Sequence, residues 1–323
     1  MRFVDVNGVR MSAIGLGTWQ FGSKDWGYGS QYADVEAGHI LERALDLGIN
    51  LIDTAEVYGR GNSERIVGKA LGDRRKEAFV ATKVLPIAPT ANYVEKHGRQ
   101  SAERLGIDVI DLYQVHWPNP VIPIAQTMEG MRRLQKAGVI VDAGVSNFSL
   151  ARWRAAEDAL GSPVLSNQVQ YSLVARKPDA ELVPYAQANE RIVIAYSPLG
   201  QGLLSGRYDS ANPPTGSARL NNPLFLPENL DRARPLVEAV RAVATAHGAT
   251  PAQVALAWVI SHRNVVAIPG ASSVAQLEAN AAAADLELSV DDLDRLTRAS
   301  DAFTPPRGVS AYAKVAQRRL LRR

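Results

Sequence analysis

Runs of aliphatic and β-branched residues recur along the chain with little regular alternation inside them: NLIDT (50–54), AFVATK (78–83), VIDLYQVH (109–116), VDAGVS (141–146), VLSNQV (164–169), IVIAYS (192–197) and VVAIPG (265–270). Each reads as a parallel strand buried on both faces. Between them apolar positions return at helical period, in VEAGHILERALDLG, NSERIVGKALG, NYVEKHGRQSAERLG, PIAQTMEGMRRLQKAG, SLARWRAAEDALG and the pair DRARPLVEAVRAVATAHG and TPAQVALAWVISHR. Several of these stop on a glycine, the residue that closes a helix in the left-handed conformation. With SAIGLGTW (12–19) as the first strand, eight strands alternate with helices. Eight such units predict an α/β fold of the closed (β/α)8 TIM-barrel type rather than an open sheet.

The 323 residues exceed the roughly 250 that such a barrel needs. Part of the surplus is RFVDVNGVRM, whose Asn7-Gly8 centre predicts an N-terminal β-hairpin able to plug the bottom of the barrel. Another part is DSANPPTGSARLNNPLFLPE (209–228), rich in Pro and Asn, which reads as a long loop after strand seven and a lid over the site. No linker composition interrupts the rhythm, so residues 1–323 read as a single barrel domain with a basic C-terminal tail at 302–323.

At 46% hydrophobic and 21% charged the chain has material for a core, which excludes a disordered protein. No stretch approaches the roughly 18 apolar residues of a spanning helix, and the first ten residues hold no apolar signal core. Neither a membrane nor export is expected, and the cytoplasm is the expected location. The absence of cysteine removes disulfides and thiolate chemistry, and the five histidines include no pair at ligand spacing, so no metal is expected. Of the net charge of +3, the tail carries +6 and the remainder −3. The body therefore lacks the basic excess of a nucleic-acid binder, and the tail reads as a solvated, frayed end.

Barrel active sites lie where strands end at their C-termini. Strand two ends at Asp53, strand three at Lys83 and strand four at His116, and the loop DTAEVYG brings Tyr58 to the same rim. Singly, these could be a cap, a rim cation, a packing histidine and a loop aromatic. Jointly they are harder to dismiss, because a lysine and an aspartate closing adjacent apolar strands are costly unless paired. The chemistry they support is proton transfer through the phenol. A lysine ammonium about 4 Å away would favour phenolate by about 4 kcal/mol at an effective dielectric of 20, or about three pKa units. Asp53 would hold Lys83 charged, and His116 would orient a substrate carbonyl. None of the four supplies a hydride, so redox chemistry requires a cofactor. The dinucleotide fingerprint G-x-G-x-x-G is absent. A barrel instead binds phosphates with the loops after strands seven and eight. Here these are SPLGQGLLSGR (197–207), with Ser197, Leu199, Gly202 and Arg207, and PGASS (269–273), with Gly270 and Ser272.

GLGTWQFG, DTAEVYGRGNSERIVGKAL, VATK, DLYQVHWP, GVSNFS, NQVQYSL, YSPLGQGLLSGRYD and IPGASSVAQLEAN follow one another in the order of a known family. Over nearly all of residues 5–300 the chain resembles the aldo-keto reductases, in particular the bacterial branch that is similar to potassium-channel β-subunits. The resemblance implies NADPH-dependent reduction of an aldehyde or ketone, with Tyr58 as general acid and Asp53, Lys83 and His116 completing a tetrad. It implies Ser146, Asn147 and Gln168 at the carboxamide of the cofactor and Tyr196 stacked on its ring. It further implies Gly202 and Arg207 at the pyrophosphate, and Ser272, Gln276 and Asn280 at the adenosine. One departure is Ala279, where the family often carries a glutamate; NADPH is the expected cofactor and NADH an alternative. Trp19, Trp26, Trp117 and Phe148 form the expected apolar substrate pocket. Two other readings stay open: a barrel aldolase with Lys83 as Schiff base, separable by borohydride trapping, and a non-catalytic regulatory subunit that keeps the cofactor as a sensor. The substrate itself and the oligomeric state are not written in the sequence.

Overall fold

A computed structural model of the protein describes residues 1–22, 34–306 and 308–320. The chain opens with an antiparallel hairpin, β1 (Phe3–Val6) and β2 (Val9–Ser12). Its two-residue turn needs positive φ at both positions, and Asn7 (49°) and Gly8 (81°) supply it. Eight parallel strands follow: β3 (Leu16–Gly17), β4 (Leu51–Asp53), β5 (Phe79–Val84), β6 (Ile110–Val115), β7 (Ile140–Ser146), β8 (Ser166–Gln170), β9 (Ile192–Tyr196) and β10 (Val265–Ala267). Neighbours in sequence are neighbours in the sheet. Backbone contacts between the ends close the ring: Gly15 N donates to Ala267 O at 2.8 Å, Ala267 N to Ala13 O at 2.8 Å and Gly17 N to Pro269 O at 3.1 Å. This seam leaves no room for side chains, since a Cβ on Gly17 would stand 2.8 Å from the Ile268 carbonyl oxygen.

The helices are α1 (Asp34–Asp46), α2 (Asn62–Leu71), α3 (Ala91–Leu105), α4 (Ile124–Lys136), α5 (Leu150–Leu160), α6 (Leu182–Ala188), α7 (Ser217–Leu220), α8 (Pro227–Ala246), α9 (Pro251–Ile260), α10 (Val274–Ala281), α11 (Val290–Asp301) and α12 (Val309–Leu320). The core lies in two shells. Outward strand positions pack with the helices in the larger one. Inside the ring Leu51, Ala81, Leu112, Leu165, Ile192, Ile194 and Val266 form the smaller, which the hairpin closes from below with Val6 and Met11. The apolar filling stops one layer higher, where the inward side chains become Asp53, Lys83, Gln114, Ser166 and Gln168, all buried.

Two expectations are corrected. The segment 209–228 contains α7, a 3₁₀ turn at Pro223–Phe225 and the first residues of α8. Pro223 and Pro227 stand in first turns, where no N–H is needed, and Asn222 caps the 3₁₀ turn by accepting from Leu224 N at 2.9 Å. The tail is not frayed over 309–320. There it is helix α12, whose Ala311 and Val315, four residues apart on one face, are buried. Lys314 pairs with Glu228 at 2.7 Å, and Arg318 Nη1 donates to Phe225 O at 3.0 Å. Among the described residues no helix is long and apolar enough to cross a membrane.

Candidate active site

The strand register builds the centre of the site. Asp53 closes β4 beside Ala81 of β5, and two residues on, Lys83 lies opposite Gln114 of β6. With a period of two, Asp53, Lys83 and Gln114 all point into the barrel. Lys83 Nζ donates to Asp53 Oδ1 at 2.7 Å, to Oδ2 at 2.9 Å and to the Thr54 carbonyl oxygen at 2.7 Å. Gln168 Nε2 donates to Asp53 Oδ2 at 2.7 Å. Lys83 is fully buried and Asp53 nearly so. Burial drives the carboxyl up and the amine down, and their mutual attraction opposes both.

Tyr58 reaches the pair because the chain reverses sharply after it. Gly59, Arg60 and Gly61 are all left-handed, with φ of 55°, 57° and 83°. Gly61 is also sterically required, since a Cβ there would meet Arg104 Cδ at 2.6 Å. The turn sets Tyr58 OH 3.5 Å from Lys83 Nζ. Burial first, and the Asp53 charge second, hold the phenol well above its ordinary ionisation range. The expected downward shift by Lys83 is therefore corrected: burial and the Asp53 charge outweigh the ammonium.

His116 follows β6, 6% exposed, its ring stacked at 3.8 Å on Trp117 and edge-on to Tyr58 at 5.8 Å between centroids. Burial, helped by the Lys83 charge, pushes its pKa down to about 2. The imidazole is neutral at any ordinary pH, and its Nδ1 has no partner among the described residues.

A cleft of about 1610 Å³ opens over this cluster. Its wall includes Asp53, Tyr58, His116, Ser146, Asn147, Gln168, Tyr196, Ser197, Leu199, Gly202, Arg207, Gly270, Ser272, Gln276 and Asn280. Asn147, left-handed at φ 62°, turns its amide back to donate to His116 O and Ser146 Oγ, each at 3.1 Å, and accepts from Tyr196 OH at 2.9 Å. Gly200, Gln201 and Gly202 are left-handed in succession (φ 55°, 54° and 99°). At the far end Ser272 N and Oγ donate to Gln276 Oε1, and Ser273 caps α10. Asn280 is buried, its amide donating to Gly270 O at 3.3 Å.

Of the expected substrate pocket, Trp19 and Trp117 line the cleft, 44% and 43% exposed, while Trp26 lies outside the described residues. Phe148 is a correction: it is buried in the outer core and absent from the cleft wall. Asn167 fixes its backbone, with Nδ2 donating to Phe148 O at 2.9 Å. Sequence reasoning missed Gln20, Arg219 and Tyr312, which also line the cleft. Arg219 donates through Nε to Gln201 O at 2.8 Å and lay within the segment read as a loop.

An eight-stranded barrel with a buried lysine–aspartate pair touching a tyrosine at the mouth of a long cleft defines a class of barrel enzyme. The model of the Aldo/keto reductase family matches residues 13–301. An uncharacterised oxidoreductase of Mycobacterium tuberculosis is 57% identical over 308 residues, 94% of each chain. A methylglyoxal reductase of Escherichia coli is 34% identical over 308 residues, 95% of this chain and 96% of that one. The crystal structure of an aldo/keto reductase from Klebsiella pneumoniae in complex with NADP and acetate superimposes with a TM-score of 0.74 at 31% identity, covering 95% of this chain and 96% of the other. The chain belongs to the aldo/keto reductase family, as an NAD(P)H-dependent oxidoreductase.

Proposed function

We propose that the protein is a cytoplasmic reductase that takes a small aldehyde or ketone to the alcohol with NADPH, Tyr58 being the proton donor. The observation that carries this reading is the contact of the buried Lys83–Asp53 pair with Tyr58 OH at the wall of the cleft. The cleft suits a dinucleotide phosphate. The left-handed turn at Gly200–Gly202 brings Gln201 and Gly202 to the cleft wall, a Cβ on Gly202 would crowd Tyr208 at 3.3 Å, and Arg207 and Arg219 bring positive charge to the same wall. Ser146, Asn147 and Gln168 would hold the carboxamide, Tyr196 the ring face, and Ser272, Gln276 and Asn280 the adenosine end. When bound, the nicotinamide supplies the hydride.

The side chains of this chain do the rest. Tyr58, kept protonated by burial, hands its proton to the carbonyl oxygen, and Lys83 stabilises the phenolate left behind through its hydrogen bond. His116, a neutral imidazole, orients the carbonyl without competing as an acid. Trp19 and Trp117 shield the reacting group from water. A Schiff-base role for Lys83 is opposed by its three short contacts to Asp53 and Thr54, which occupy the protons an amine nucleophile must lose. Loss of NADPH absorbance with an aldehyde panel tests the reading. Tyr58→Phe is expected to lower kcat by at least about 10²-fold with NADPH binding retained; near-normal turnover in that variant refutes the proton-donor role.

A further inference from the structure

Two carboxylates flank Tyr58 in the chain and have no part in this scheme. Glu56 precedes it on the same loop, Glu64 follows it in α2, and neither lines the cleft. Both are instead tied to β5, on either side of Lys83. Glu64 Oε1 accepts from Thr82 Oγ1 at 2.7 Å, and Glu56 Oε1 accepts from Leu85 N at 2.6 Å. The backbone adds a third tie, Glu56 N donating to Lys83 O at 3.3 Å. Because side chains alternate along a strand, Lys83 enters the barrel while Thr82 turns outward to meet Glu64.

Arg104 of α3 joins the two. Its Nε donates to Glu64 Oε2 at 2.5 Å, and its Nη2 stands 3.6 Å from Glu56 Oε2 and donates to Ser101 Oγ at 3.0 Å. Glu64 is fully buried, a costly place for an anion without this guanidinium. Arginine suits the position because its planar fork can serve two carboxylates at once. His97, stacked on Tyr93, completes the surroundings of Glu56 with Nδ1 2.7 Å from Oε2. The turn after Tyr58 rests on the same arginine, whose Cδ and Nε occupy the space where Gly61 would carry a Cβ. Helix α3 cannot give way there, since Gly68 of α2 meets the Leu105 carbonyl with no room for a Cβ. We propose that Arg104 is a positioning residue of the reaction: by bridging Glu56 and Glu64 it pins the segment between them to β5 and so holds the Tyr58 hydroxyl against the Lys83 ammonium. Its bearing on the rate rests on the reading of Tyr58 as proton donor; its hold on the loop does not.

Arg104→Lys keeps the charge but has no fork to span both carboxylates. Arg104→Met combined with Glu64→Gln removes the bridge together with the buried charge it balanced, and the new amide oxygen can still accept from Thr82. The double variant should lose about 10²-fold in kcat, the cost of a misplacement of about 1 Å, and Arg104→Lys somewhat less. NADPH affinity and substrate KM should hold in both, because neither binding surface is touched. With 3-fluorotyrosine incorporated, the ¹⁹F line of Tyr58, identified by its loss in Tyr58→Phe, should shift or split in both cofactor-free variants while that of Tyr171 stays. A Tyr58 line that moves while kcat holds would count against Tyr58 as the acid and leave the clamp standing. A line unmoved in Arg104→Lys, or in the double variant should the first not fold, overturns the proposal, as does a loss confined to NADPH affinity or KM.

Discussion

At the scale of single residues, the site is a set of ionisable groups whose charges are fixed by burial and pairing. Replacing Lys83 by methionine leaves Asp53 buried without its cation. Denaturant unfolding should show a loss of about 3–5 kcal/mol, well beyond that of Tyr58→Phe. His116 makes a pH prediction whose sign follows from linkage. Its pKa of about 2 in the folded state lies below the unfolded value of about 6.5, so between these limits the unfolded chain binds more protons. Stability should rise with pH across that window, and acid titration of unfolding should be shallower in His116→Gln than in the native protein. Asp53, Lys83 and His116 were legible in the sequence because each closes an apolar run, and a strand's end locates its last side chain. The elevated Tyr58 pKa was not, since it follows first from burial of the phenol and then from the nearby Asp53 charge, which only the folded loop sets. Phe148 was misread because one residue beyond Asn147 the chain turns from the cleft wall into the core.

At the scale of elements, most strands could be read directly because apolar runs with turn residues at both ends have few other uses. Helices carrying only a short apolar face were harder to see. Helix α11 is one that the pattern reading passed over, although in the structure a capping box marks its start, with Ser289 accepting from Asp292 N and Asp292 reaching back to Ser289 N. Composition reads the segment 209–228 as a plain loop, whereas Asn222 and Pro223 form the cap and first turn of a 3₁₀ turn and Pro227 opens α8. Helix α12 packs against this segment at Phe225 and Glu228, and Tyr312 extends to the cleft wall. The exposed Lys314–Glu228 pair contributes little, so the buried Ala311 and Val315 face should carry the docking. NADPH is expected to protect the bonds after Arg207 and Arg219 from trypsin, and removing residues 308–323 should erase most of that protection. Fragment mapping with and without cofactor checks both.

At the scale of the whole molecule, the distribution of charge bears on which cofactor is used. Arg207 and Arg219 line the cleft, Ser272 and Gln276 offer polar atoms at its far end, and uncharged Ala279 lines it beside them. NADPH should therefore be preferred over NADH in kcat/KM, and the preference should shrink as ionic strength rises. The margin should be modest, because Ser272 already engages Gln276. Assays of both cofactors with one aldehyde at two salt concentrations decide it.

The seam of the barrel joins Ile14 to Ala267 and Gly17 to Gly270, contacts that span most of the polypeptide. During synthesis the first strand emerges early and waits for nearly the whole chain before its outer edge finds a partner. Until then the growing sheet has two open edges, and closing so long a loop costs entropy before any contact repays it. Folding of this protein is thus completed from the ribosome's side last, and a chain arrested before residue 265 carries the strand edges through which partly made sheets aggregate.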